Sequence, residues 1–302
     1  MTPTLPSGNS QTALRLNPVS FCDPYFAGEP NKPIRLGVGG SDWERQRESY
    51  DEGRMKGYFS LDKRYNKGRW NQGISFRAEN VTIDSIELDA PKEIKAVEGD
   101  NFLAGIKFGI EQDLTDDEYN PTAGSVFDLS YEQVTGDYTF GILKGTQRWY
   151  RMLHEDLAER KTVLAIKLLG ATTISDAPPF EKFYGGGTGT YGIRGFDYRG
   201  VSTRGINPVS LERDDPIGSD WIFLANAEVT VPLASESLSA LFFLDSGAID
   251  SGSYRASTGI GIQILLPQWF GPVPMRFELG MPILKNDDDE TRIFNFSVGR
   301  LF

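Results

Sequence analysis

The stretch from Phe183 to Gly200, FYGGGTGTYGIRGFDYRG, decides how the rest of the chain is read. Within it, Gly187-Thr-Gly189-Thr-Tyr-Gly192 has the spacing GxGxxG. In a dinucleotide site that spacing lies between a buried strand and a helix. Here Asp176-Ala-Pro178-Pro179-Phe180 spells a turn before the glycines, and Arg194-Gly195-Phe196-Asp197 carries no helical period after them. The dinucleotide reading is set aside on those grounds. What remains is a glycine-rich loop that tucks into a cavity and carries Arg194, flanked by Ile193 and Gly195-Phe196, to a buried acidic partner. The rest of the chain has to supply the cavity and the carboxylates.

Composition narrows the classes. The 302 residues carry a net charge of −11, which argues against nucleic acid as a partner. Glycine is abundant (33 residues) and aromatics make up 12%. Mean hydropathy is −0.34, and no apolar run reaches the roughly 18 residues of a membrane-spanning helix. A membrane β-barrel keeps a low average hydropathy because its strands alternate between two faces, so that class stays open. Cys22 and His154 are the only residues of their types. They exclude an intramolecular disulfide, a multi-cysteine metal site and a multi-histidine zinc site. His154, beside Glu155 and Asp156, has no nucleophile motif to serve and reads as a surface residue. No catalytic residue, metal or cofactor is expected. The N-terminal MTPTLPSGNSQT has neither a basic region nor an apolar core, so it reads as no signal peptide. Residues 1–11 are expected to be disordered.

Strand periodicity runs through almost the whole length. Gly73 to Ile83 places Ile74, Phe76 and Ala78 on one face and Ser75, Arg77 and Glu79 on the other. Trp221 to Val231 places Phe223, Ala225, Ala227 and Val229 opposite Asn226, Glu228 and Thr230. Leu238 to Gly247 sets Asp245 opposite Phe242 and Leu244. Val126–Val134 and Tyr138–Thr146 pair as a hairpin around Thr135-Gly136-Asp137. Asp113 to Gly124 reads as a turn-rich acidic connection, and Lys92 to Asp100 as a charged loop. Arg148 to Lys161 fits either a short helix or a charged strand extension. The closing strand runs from Ile293 to Phe302. These signals count to about thirteen strands and no long helix.

That many strands exceed what an open twisted sheet tolerates, which leaves a sandwich or a barrel. Apolar and polar faces are kept apart along each strand, and the polar face carries Arg77, Glu79, Glu228 and Asp245. The chain ends on Phe302, with Phe294, Phe296 and Val298 on the same face. Both features favour an all-β, transmembrane antiparallel barrel over a soluble sandwich.

With those residues in place, the chain resembles the outer-membrane assembly factor family, the BamA, TamA and bacterial surface antigen type of barrel. Asp23-Pro-Tyr-Phe26 is similar to its early DPYF turn, and Pro121-Thr122-x-Gly124-Ser125 to its PTxGS hairpin. Tyr184 to Gly187 with Ile193-Arg194-Gly195-Phe196 is similar to its loop-six signature. Asn226-Ala-Glu228, Phe243-Leu-Asp245-Ser-Gly247, Gly271-Pro272, Gly280-x-Pro282 and Phe294-x-Phe296-Ser-Val-Gly299 follow in the family's order.

The resemblance implies one barrel domain over residues 1–302, with about 12–14 of the family's strands and an inward-folded loop. The signal peptide and POTRA domains of family members are not found in this sequence. It implies that Arg194, with Gly195 and Phe196, locks loop six against Glu228 and Asp245. It also implies that Phe294, Phe296, Gly299 and Phe302 lie in the strand forming one side of the barrel's seam. The expected function is non-enzymatic assembly or insertion of outer-membrane proteins. A polypeptide-secretion channel or a passive outer-membrane pore is the alternative. The expected location is the Gram-negative-type outer membrane. Expected partners are its lipid, unfolded outer-membrane protein clients and periplasmic accessory proteins.

Overall fold

The computed structural model describes residues 19–29, 32–65, 69–117, 120–235, 237–265 and 273–299. Alternating sequence becomes long antiparallel strands. In order they are β1 (Val19–Glu29), β2 (Lys32–Gln46), β3 (Asp51–Tyr65), β4 (Trp70–Asp84), β5 (Gly99–Asp113), β6 (Gly124–Gly136), β7 (Phe140–Glu155) and β8 (Lys161–Ile174). A one-turn helix, α1 (Lys92–Lys95), lies between β4 and β5. Residues 175–220 then form one long loop, loop six. It contains a 3-10 turn (Pro179–Glu181) and the short strands β9 (Gly195–Phe196), β10 (Arg204–Ile206) and β11 (Arg213–Pro216). The chain rejoins the sheet with β12 (Trp221–Ser235), β13 (Leu238–Ile249), β14 (Tyr254–Leu265) and β15 (Pro274–Leu284), and closes with β16 (Thr291–Arg292) and β17 (Phe294–Val298).

Thirteen of these strands form one sheet, in the order β1 to β8, then β12 to β15, then β17. Every neighbour is antiparallel, and β12 returns directly against β8, so loop six leaves the sheet and re-enters it between adjacent strands. The fold is an all-β barrel wall. Among the described residues, β1 and β17 are its two ends and no ladder joins them.

Period-2 alternation separates the faces. Phe76, Phe108, Phe223, Phe242, Leu244, Ile260 and Phe277 stand on the outer face and are exposed. On the inner face, Glu79, Asn226, Glu228, Asp245, Arg276 and Glu278 are buried. Two apolar clusters fill the end of the lumen that loop six enters. One joins Val81, Ile83, Leu103, Val134 and Phe140 of the wall to Ile94 of α1 and Phe180 of the loop. The other packs Phe183, Ile193, Phe196 and Val201 of the loop on Leu169, Ile222 and Leu224.

Several local expectations change. The DPYF residues do not end a strand. They lie inside β1, where the register against β2 shifts between Asp23 and Ala27, and the Asp23 carboxylate accepts the Tyr25 amide at 2.9 Å. An aspartate that bonds its own backbone two residues on bends a strand as readily as it makes a turn. The charged loop 92–100 holds α1 and the start of β5. Arg148 to Lys161 is strand extension and hairpin: β7 runs to Glu155, and Asp156 closes the turn by accepting from Ala158 and Arg160. His154 is exposed near the end of β7.

Of the expected closing strand, Ile293 to Phe302, the described residues hold β17, Phe294–Val298, and the residues just before it take another partner. β16 leaves the wall to pair with β9 of loop six, Thr291 opposite Phe196 and Arg292 opposite Gly195, and only β17 pairs with β15. Residues 1–11, Gly271-Pro272 and Phe302 lie outside the described residues.

Candidate functional site

Loop six carries Arg194 into the lumen and buries it completely, at 0% exposure. Its guanidinium meets Asp245 as a fork: Nε donates to Oδ2 at 2.7 Å and Nη2 to Oδ1 at 2.8 Å. The Arg194 amide donates to the same Oδ2 at 3.0 Å. Nη1 donates to Glu228 at 2.5 Å and to Glu278 at 2.8 Å. The register explains the convergence. Asn226 of β12 faces Asp245 of β13, so Glu228, two residues along the same face, is diagonal to Asp245. The Phe243 ring, also on the inner face, lies 3.6 Å from the guanidinium carbon. Burial works against the charge of Arg194, but Asp245 first, then Glu228 and Glu278, outweigh it and hold the pKa above its ordinary value.

Sequence reasoning placed Arg194, Glu228 and Asp245 together and missed Glu278. That residue lies on β15 and shares Arg276 with Glu228: Arg276 Nη2 bonds Glu228 and stands 3.0 Å from Glu278. The alternation Met275-Arg276-Phe277-Glu278-Leu279 puts Arg276 and Glu278 on the polar face, and that was the available signal.

Backbone contact adds to these bonds. Gly195 adopts φ +93°, open to glycine and strained for other residues. It rests on Gly280 of β15, where an added Cβ would meet the Gly195 nitrogen at 2.5 Å. Phe196 follows, wholly buried in the loop's apolar cluster. The glycine-rich tip is tied down by Lys167, which donates to the Thr190 carbonyl at 3.1 Å, and by Asn226, which donates to the Gly192 carbonyl at 3.2 Å.

A second ionic anchor holds the start of the same loop. Glu181, in the 3-10 turn, accepts from Arg54 of β3 at 2.9 Å and from Arg77 of β4 at 2.7 Å. Arg54 also donates to the Phe180 carbonyl. Arg77 reaches Glu79 at 2.8 Å and Glu132 at 2.5 Å, and Arg54 reaches Glu52 at 2.6 Å. Burial acts to raise the Glu181 pKa, but Arg77 and Arg54 together lower it below its ordinary value. Loop six is thus tied to β3 and β4 at its start and to β12, β13 and β15 at Arg194. Arg77 and Glu79 were legible as lumen charges; Glu181 was hidden in a turn without periodicity.

At the end of the sheet, Phe294 and Phe296 face outward on β17, and Phe296 packs on Phe277 with ring centroids 5.0 Å apart. Gly299 is a bend beyond β17, at φ +115°, whose amide donates to the Pro274 carbonyl at 2.8 Å.

A sequence profile for the Omp85 superfamily domain matches residues 7–302. The chain belongs to the Omp85 superfamily. Two curated Omp85-type relatives are named outer membrane protein assembly factor BamA. One, from Nitratidesulfovibrio vulgaris, is 27% identical over 76% of this chain, and one from Neorickettsia risticii is 23% identical over 72%. The chain spans about 30% of the length of each. Among solved structures, BamA from Haemophilus ducreyi lacking POTRA domains 1–3 superposes with a TM-score of 0.76 at 18% identity. That match covers 93% of this chain and 61% of the other. CdiB from Acinetobacter baumannii superposes at 0.62 and 12% identity, over 93% and 49%. Both likenesses concern the fold.

Proposed function

We propose that this Omp85 barrel resides in the outer membrane and helps other β-barrel proteins fold into it, without covalent chemistry. The observation that carries this reading is the pair of sheet ends, β1 and β17, that no ladder joins among the described residues. β17 meets β15 only from Met275↔Val298 to Leu279↔Phe294, while β3 and β4 are paired from Asp51↔Asp84 to Tyr65↔Trp70. Exposed strand edges are costly in hydrocarbon and template the addition of another strand. The outward Phe294 and Phe296 suit a lipid-facing seam. Arg194, Gly195, Phe196, Glu228 and Asp245 act in this reading by holding loop six in place. Clients are unfolded outer-membrane proteins, lipid is the solvent, and periplasmic accessory proteins are further partners. The names of the curated BamA relatives support this choice.

A secretion channel or passive pore is the second reading. A cavity of about 470 Å³ that runs from Glu228 and Arg276, beside the Arg194 cluster, to Asp116 and Lys161 at the other end of the lumen favours it.

Reconstitution decides between them. The full chain in liposomes is offered a urea-denatured outer-membrane protein, and folding is followed by heat-modifiable gel mobility. Client folding faster than in protein-free liposomes is the expected result. Unaccelerated folding accompanied by steady ion conductance would overturn the assembly reading.

A further inference from the structure

Loop six and β2–β3 enclose a cavity of about 450 Å³ that is separate from the Arg194 lock. Its lining inverts the charge of the chain: Arg45, Arg47, Arg54, Lys182 and Arg199 face it, against one carboxylate, Glu52. Three of these cations are neutralised. Arg47 and Arg54 share Glu52, and Lys182 pairs with Asp220 at 2.8 Å. Two are not. Among the described residues, neither Arg45 nor Arg199 forms an ion pair with a carboxylate.

Arg199 is the sharper case. It is 5% exposed. Its guanidinium carbon lies 3.9 Å from the Tyr184 ring centroid. Its one directed contact to the backbone is from Nη2 to the Pro216 carbonyl at 3.5 Å, and Nε meets no partner. Tyr184, Tyr50 and Glu48 act on it electrostatically without an ion pair, and the Tyr50 side chain shares a hydrogen bond with it. Arg45 is stacked in the same manner, 4.7 Å over Trp43. A buried charge without a counter-charge is a costly arrangement. A guanidinium stacked on an aromatic face keeps its in-plane N–H edge free for an oxyanion.

We propose that this cavity binds a phosphate monoester. Two unneutralised guanidinium groups match its charge of about −2 near neutral pH, and its three terminal oxygens accept from several donors at once. The glycine-rich tip, with Thr188 and Thr190, forms another side of the cavity, and Trp43 and Tyr191 line it with aromatic surface for the body that carries the phosphate. The cavity volume lies in the range of small-molecule sites. The phosphate is borne either by a soluble sugar or by a lipid headgroup.

Calorimetric titration of the full chain in amine-oxide micelles tests this, with glucose 6-phosphate, glucose and micelle-dissolved phosphatidic acid as probes. Saturable binding of a phosphorylated probe and none of glucose is expected. Tighter binding of phosphatidic acid assigns the site to a lipid headgroup, and tighter binding of glucose 6-phosphate to a soluble ester. Arg199→Gln and Arg45→Gln should each weaken binding roughly tenfold or more, the loss that accompanies one charge-assisted hydrogen bond. Arg151→Gln, exposed on β7 outside the cavity, should leave it unchanged. Arg45 is half-buried and only stacked, so its variant keeps the test intact if Arg199→Gln does not fold. Failure of both phosphorylated probes to saturate, or wild-type affinity in Arg45→Gln, would overturn the proposal.

Discussion

Gly195 and Gly280 meet backbone to backbone, so the turn of loop six that carries Arg194 lies directly on the inner face of β15. A Cβ at Gly280 would come within 2.5 Å of the Gly195 nitrogen and 2.9 Å of the Arg194 carbonyl carbon. Gly280→Ala should therefore lift the loop off the wall and destabilise the barrel by ~1–3 kcal/mol, the usual range for overpacking. Gly57→Ala on β3, where an added Cβ meets nothing within 4 Å, is the matched control and should be near neutral. The temperature of the heat-modifiable gel shift measures both.

The carboxylates around Arg194 should differ in effect because they carry different shares of its bonds. Asp245 accepts from the amide, Nε and Nη2 of Arg194. Glu228 accepts from Nη1 and is also bonded by Arg276. Asp245→Asn is expected to cost ~3–5 kcal/mol, as for breaking a buried pair. Glu228→Gln and Glu278→Gln should cost less, since each of these carboxylates takes one bond from Arg194 where Asp245 takes three. Urea unfolding of the purified barrel gives the ranking, and equal losses for all three would contradict this geometry.

The second anchor has its own signature. Glu181→Gln removes the charge that Arg54 and Arg77 share, but both arginines keep Glu79. A loss of ~1–3 kcal/mol is expected. The Glu181 and Arg194 clusters share no partner, so the effects of Glu181→Gln and Arg194→Lys should add within ~0.5 kcal/mol. Coupling well above that would mean that loop six responds as a single strut. Protease sensitivity of the segment 176–184 reports the local effect separately.

A pH effect is expected at the far end of the barrel. Asp116, in the connection between β5 and β6, accepts from the Thr122 amide and hydroxyl and from the Ala123 amide. Slight burial acts to raise its pKa, but these bonds lower it to about 2. A carboxyl depressed in the folded state contributes its stability above its unfolded value, near ~4, and loses it as pH falls through about 2. The connection should therefore hold its shape at pH 4 and open towards pH 2. The carboxyl carbon resonance of Asp116 should titrate near pH 2, and a midpoint near 4 would show that the bonds are not kept in solution.

Much of this protein is decided by local pattern. Alternation along Gly73–Ile83, Trp221–Val231 and Leu238–Gly247 sets which side chains face inward, because a strand has a period of two wherever it pairs. Glu228 and Asp245 were legible as inward carboxylates for that reason, on consecutive strands whose register places them together, whereas Arg194 was read from the glycine-rich loop and the family resemblance. The number of such strands left a sandwich or a barrel, and the charged polar face with the aromatic end of the chain chose the barrel. Tertiary structure alone decided what reaches across the lumen. Glu278 joins Arg194 only because the wall curves β15 round to β12, and Glu181 finds Arg54 and Arg77 only because loop six starts against β3 and β4. Thr291-Arg292, just before the closing strand, pair with β9, a partner nearly a hundred residues earlier. Arg199 and Arg45 face one cavity by the same long-range placement. A strand's period is written in neighbouring residues, whereas the path of a loop through a lumen depends on every strand that encloses it.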